Sequence, residues 1–168
     1  TDNFAPEGNI VGEVPRGTGI IIMANSNIEI FNNRITNHET VGIAVVSYID
    51  DDDSVDSGYY PHPKSVQIHN NQISQSGHNP DLDKDIASIL YEISDGDMPD
   101  IFWDGILPLR QMILGQPNEE KLVLKNNGEI SFAVMNPIRY MLSLPYQLSR
   151  DESDYSGNIT PLAPVSID

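Results

Sequence analysis

Apolar positions in this chain come in short bursts that alternate with polar ones. Ile28, Ile30 and Ile35 flank Glu29, Phe31 and the pair Asn32 and Asn33. Val66, Ile68 and Ile73 flank Gln67, His69 and the pair Asn70 and Asn71. Leu122, Leu124 and Ile130 flank Val123, Lys125 and the pair Asn126 and Asn127. Each burst has the period of two expected of a strand with one buried face. Each Asn pair suits a sharp corner, because Asn tolerates the left-handed backbone region and hydrogen-bonds locally. A Gly-Ile pair precedes each burst, at Gly19, Gly42 and Gly105, and the first two lie 23 residues apart. Self-similarity at such a period marks a stack of supersecondary units. The expected fold is therefore all-β: a right-handed parallel β-helix, or solenoid, with loop insertions and one short helix. Ile28, Val66 and Leu122 should lie in adjacent parallel strands, with the Asn side chains bonded in a ladder at one corner.

The departures from the repeat differ in position, but the framework persists around them. Repeating units fill 1–144, interrupted by insertions at about 50–64 and 74–100, and a tail of 145–168 packs along them. Within the second insertion the period changes. Ile86, Ile89, Leu90 and Ile93 follow the i, i+3, i+4, i+7 spacing of an amphipathic helix over 85–93. Asp81 or Asp83 is placed to cap its start and Gly96 to end it. A stack of three framework units leaves its first strand uncovered. The chain then reads as the C-terminal part of a longer protein, with upstream units or a second chain covering its N-terminal edge.

Charge narrows the partners. Twenty-five acidic residues against nine Lys and Arg give a net charge of −16, which repels a phosphate backbone and an anionic membrane surface. No run is long enough to span a bilayer. The absence of Cys removes disulfides, zinc-thiolate sites and thiol catalysis together. What an acidic surface attracts is cations. Asp residues cluster at 50–53 with Asp56, at 81–85, and at Asp95, Asp97 and Asp100. The last is the best candidate for Ca²⁺, because Gly96 and Pro99 permit a tight oxygen-lined turn beside Trp103.

Candidate ligand-binding residues are the aromatics in or beside the insertions. Tyr48, Tyr59, Tyr60 and Trp103 could stack on sugar rings, with His69 displayed at an outward strand position. Asp104 follows Trp103 directly. A carboxylate there could serve general acid/base chemistry, or it could simply satisfy loop amides. No nucleophile elbow, phosphate loop or His pair with metal spacing is present.

Gly17-Thr18-Gly19-Ile20, the Ile28 to Asn33 motif, Val45-Val46-Ser47-Tyr48, Trp103-Asp104-Gly105 and Lys125-Asn126-Asn127-Gly128 together resemble the C-terminal half of bacterial parallel β-helix repeat-containing proteins. The resemblance implies an exported protein of periplasmic, cell-surface or secreted location, without a firmly assigned reaction. Members often carry Cys in the last units, which this chain lacks. The wider class implies polysaccharide as a ligand. Two functional expectations follow: a surface or binding module with affinity for carbohydrate, or a polysaccharide lyase or epimerase whose active site lies partly upstream. The scattered Lys and Arg favour the first.

Overall fold

The computed structural model describes residues 10–49, 58–136, 138–139, 142, 144–145 and 147–162. Among these residues, ten strands make three sheets. The first sheet contains β1 (Thr18–Met23), β4 (Val41–Val46), β7 (Ile101–Trp103), β9 (Phe132–Met135) and β10 (Leu148–Ser149), in that order. The second contains β2 (Ser26–Phe31), β5 (Lys64–His69) and β8 (Leu122–Lys125). The third pairs β3 (Arg34–Thr36) with β6 (Gln72–Ser74). Ile28 lies beside Val66 and Val66 beside Leu122, all in parallel register.

Alternation explains the core. Inward side chains from the first sheet (Ile22, Ile43, Val45, Ile101, Trp103, Phe132, Val134) meet those of the other two (Ile30, Val66, Ile68, Leu122, Leu124, Ile35, Ile73). The outward positions of the first sheet are also apolar. Ala44, Val46, Phe102 and Met135 pack with Leu90 of α1 (Asp85–Ile93) and with Met98. β4 is consequently buried along its whole length, as expected of a parallel strand covered on both faces.

The corners are built by the Asn pairs. The first member of each takes the left-handed region, with φ of 56° at Asn32, 54° at Asn70 and 54° at Asn126. The second member forms the ladder. Asn71 Oδ1 accepts from the main-chain N–H of Asn33 at 3.0 Å and from its side-chain amide at 3.1 Å, and Asn127 Oδ1 accepts from Asn71 in the same way. The Asn71 amide also donates to Ile30 O, and that of Asn127 to Ile68 O, both at 2.9 Å. These buried amides are thus satisfied across units.

The all-β closed solenoid is not what the chain builds. Its sheets are mixed, because β10 runs antiparallel to β9, and among the described residues α1 and α2 (Leu109–Leu114) both interrupt the strands, where one helix was expected. The repeat is complete only in its first two units, which contribute a strand to every sheet. The third unit supplies β7 and β8 but no partner for β6, and β9 has no counterpart in the second sheet. The third Gly-Ile landmark is also displaced. Ile43 pairs with Ile101, so Asp100, not Gly105, stands beside Gly42. A Cβ on Gly42 would come within 2.8 Å of Asp100 O, and one on Gly19 within 2.5 Å of Gly42 O. The first two glycines are therefore required by close backbone approach, and the third belongs to a different turn.

α1 occupies the segment with helical spacing, but neither proposed aspartate caps it. Lys84 precedes it without a capping hydrogen bond, and the buried Asp81 carboxylate instead accepts from Arg16 N at 2.9 Å and Arg16 Nε at 3.3 Å. The helix ends through Asp95, at φ 54°, and a hydrogen bond from Gly96 N to Tyr91 O of 2.9 Å. β1 and β2 are end strands of their sheets, and the segment 1–9 that precedes them lies outside the described residues, as does the acidic cluster at 50–53 with Asp56.

Candidate functional site

Where the repeat breaks down, a cavity opens. It has a volume of about 610 Å³ and lies between the end of β7, α2, the end of β9 and the segment 149–155. Trp103 forms one wall. It holds an inward position in register with Val45 and Val134, and its ring meets Tyr155 edge-on at 5.4 Å. Tyr155 in turn lies 5.0 Å from Phe132. Burial, with the charges of Asp154 and Asp151 nearby, holds the Tyr155 hydroxyl above its ordinary pKa, so it stays a neutral donor and acceptor. Gln111, Met112, Lys121, Asn136 and Asp151 complete much of the lining.

The opposite wall exists because α2 is a short insertion. Pro108, with no N–H to lose, precedes its first residue, and Gly115 at φ 86° reverses the chain after its last. The helix carries Gln111 to the cavity. The Gln111 amide nitrogen donates to Glu120 Oε2 at 2.6 Å, and since a carboxylate only accepts, that bond fixes which end of the amide is the carbonyl. Gln111 Oε1 is buried without a partner, and so is the indole Nε1 of Trp103. Trp103 is 5% exposed. A buried polar atom left unpaired costs roughly 1–3 kcal/mol, and here one donor and one acceptor belong to two residues lining the same cavity.

The other aromatic candidates lie outside this lining. Tyr59 donates to Tyr48 O at 2.6 Å. Tyr60 stands edge-on to His62 at 5.6 Å, with Lys64 Nζ 4.6 Å from its ring centroid. These contacts hold the 58–64 segment on the sheets. His69 is not displayed on the surface as its outward position suggested. It is buried, its ring stacks on Phe31 at 5.4 Å with 6° between planes, and its Nε2 lies 2.9 Å from Glu29 Oε1. The reason is local: on a flat parallel pair, residues in register stack, and Phe31 is the register partner of His69.

Asp104 is buried, and desolvation pushes its pKa up to about 6 although hydrogen bonds oppose the rise. Its Oδ2 accepts from Ser47 N at 2.6 Å and its Oδ1 from Ile106 N at 3.0 Å. Both oxygens therefore tie loop amides, each keeping a further lone pair. Ser47 Oγ lies 3.2 Å from His62 Nδ1 and donates to Ile106 O at 3.2 Å. His62 is held below its ordinary pKa by burial. No carboxylate orients His62 among the described residues, so the pair lacks the third member of a nucleophilic triad.

The three carboxylates proposed for Ca²⁺ serve separate partners. Asp100 accepts from Ser131 N and Ser131 Oγ, each at 3.0 Å, and from Ser76 N at 3.4 Å. Asp97 pairs with Arg150 at 3.3 Å, and Asp95 serves the turn after α1. Among the described residues, no three His, Cys, Asp or Glu side chains are grouped as a metal ion would require.

Sequence reasoning reached Trp103 but missed Gln111 and Tyr155. Gln111 and Arg110 are the polar pair in an otherwise apolar run from Leu109 to Leu114, which was a weak signal. Tyr155 sits in a Ser- and Asp-rich tail that offered none. No protein-family model, curated protein or solved structure matches the chain, so the site must be read from its own chemistry.

Proposed function

We propose that this chain is a binding module, exported to the periplasm, cell surface or medium, that holds a saccharide or similar polyol in the cavity beside Trp103. The unpaired indole N–H and the unpaired Gln111 carbonyl, on two residues lining the cavity, carry this reading. A hydroxyl group accepts from the first and donates to the second, and a sugar presents several hydroxyls at once. The aromatic edges of Trp103 and Tyr155 offer apolar surface to the C–H faces of such a ring. Acidic rim residues Asp151 and Asp154 and the net charge of −16 favour neutral over uronic sugars. The binding reading is preferred to a lyase or epimerase because the buried carboxylate nearest the site, Asp104, is committed to main-chain amides.

The chain has one Trp, so its fluorescence reports on this cavity alone. Titration with neutral oligosaccharides should shift the emission. Trp103→Phe cannot report by fluorescence, so its binding is followed by calorimetry beside Gln111→Leu. Each substitution should weaken binding about tenfold or more, the effect of losing one buried hydrogen bond. Affinity unchanged in both variants would remove the cavity from the account.

A further inference from the structure

Asn127 is followed by Gly128, and no other Asn in the chain precedes a Gly. This dipeptide is the most reactive setting for an asparagine amide. Gly has no Cβ to shield its main-chain nitrogen, which can attack the Cγ of the Asn before it. The fold gives the two residues opposite surroundings. Asn127 is buried, at 4% exposure, as the last rung of the ladder. Gly128 is exposed, at φ 80°, and a Cβ built on it would meet nothing within 4 Å.

Three hydrogen bonds hold the reactive amide. Its nitrogen donates to Ile68 O at 2.9 Å, and its oxygen accepts from Asn71 N at 3.2 Å and Asn71 Nδ2 at 3.1 Å. The carbon to be attacked is thus fixed, and the nitrogen that must leave is engaged. The support is one-sided, however. Asn71 is bonded to a rung on each side. β8, which carries Asn127 at its end, is an end strand of its sheet, and among the described residues a single bridge from Ser156 to Leu124 lies beyond it. Local opening costs least at such ends.

We propose that Asn127-Gly128 is a self-modifying site gated by the ladder. When the last rung opens, Gly128 N bonds to Asn127 Cγ. The Cγ–Nδ2 bond breaks, and the nitrogen leaves as ammonia with the proton that Gly128 N gives up. The five-membered succinimide then adds water from solvent. Opening at Cγ puts an aspartate in place of Asn127, and opening at the main-chain carbonyl leaves an isoaspartate whose chain runs through Cγ. Either product keeps the rung from closing again. An acid in that place has no amide donor for Ile68 O, and it buries a further negative charge in a chain already at −16. The isoaspartate also lengthens the main chain at the corner by one methylene. The inference is independent of what the Trp103 cavity binds.

The test holds the 168-residue chain at mildly alkaline pH, in native buffer and in denaturing urea. Proteolytic peptides are mapped over time by mass spectrometry, with isoaspartate resolved by chromatography. In urea, Asn127 should be the first Asn modified. In native buffer it should react about tenfold or more slowly, because the reaction waits for the rung to open. Asn127→Asp and Asn126→Asp then separate the lost rung from the added charge, since Asn126 is exposed at the same corner. The urea midpoint should fall further for Asn127→Asp than for Asn126→Asp, to the point of failing to fold. A native rate equal to the rate in urea overturns the inference, as does earlier modification of another Asn in urea. Equal midpoints for the two Asp variants overturn the claim that modification unseats the rung.

Discussion

Residues 18–74 and residues 101–160 use the same strand motif to different ends. In the first stretch every strand finds its partner in register. β1 meets β4, β2 meets β5 and β3 meets β6, with the Asn ladder at the corner and Gly19 against Gly42. In the second, one row loses its strand in the third sheet, the next keeps β9 and a single bridge from Ser156 to Leu124, and α2 stands where the repeat would place strand. The regular half bonds its Asn amides from unit to unit and leaves His38 Nδ1 without a partner, on a residue outside the Trp103 cavity lining. The irregular half leaves Trp103 Nε1 and Gln111 Oε1 without partners. Repetition makes core, and the failure of repetition makes a site.

That contrast can be broken by substitution. Ile68 is fully buried between three strands, so Ile68→Ala should destabilise the chain by about 2–5 kcal/mol. Ile113→Ala on exposed α2 should change stability by less than about 0.5 kcal/mol. Denaturant melts of both variants check the pair, and equal losses would mean that the irregular half carries as much core as the regular one.

The ladder supplies a finer comparison within the regular half. Asn71 is buried and joins three units, whereas Asn33 is exposed at the ladder's end. Replacing Asn71 by Ala strands Ile30 O, Asn33 N and its own ties to Asn127, at about 2–4 kcal/mol. Asn33→Ala should cost about 1 kcal/mol or less. Similar melting points for the two would show that the ladder is ornament to packing rather than a support.

Asp104 joins the two halves, holding Ser47 at the end of β4 and Ile106 beyond β7. Its folded pKa of about 6 lies above the ordinary 3.8, so between those values the folded chain binds the proton more tightly than the unfolded one. Its contribution to stability therefore falls as pH rises from about 4 to about 6, by roughly 2–3 kcal/mol, and is flat above. His62 and His38, both held below their ordinary pKa by burial, act in the opposite sense near the same window. The comparison is accordingly wild type against Asp104→Asn, in which the histidines cancel. The stability difference between the two should change in favour of the variant as pH rises through this window, and a pH-independent difference would contradict the raised pKa.

Much of the regular half was legible in the sequence. A period of two with Asn at fixed offsets has few structural solutions, and the parallel register of Ile28, Val66 and Leu122 followed from it. The helix at 85–93 was legible for the same reason, although its stripe is wider than the face it buries. The fold class was misjudged because a repeat motif does not report how many sheets each unit completes. Gly105-Ile106 matched the landmark by letter, but the register is set by Ile101, which sits where the inward side chain is needed. His69 was read as exposed because alternation gives the face of a strand, not what covers that face. The cavity was legible only through Trp103. Gln111 and Tyr155 reach it through an insertion and a tail, and pairings between such distant segments leave no periodic trace.

The central claim is that the unpaired indole N–H of Trp103 awaits a hydroxyl ligand. Since Trp103 is the single Trp, a ¹⁵N-labelled sample gives one indole N–H resonance to follow. On titration with a neutral oligosaccharide that binds, this resonance should move downfield and its exchange with solvent should slow, while resonances of Asn33 and Asn71 in the ladder stay fixed. A bound saccharide that leaves the indole resonance in place would contradict the account.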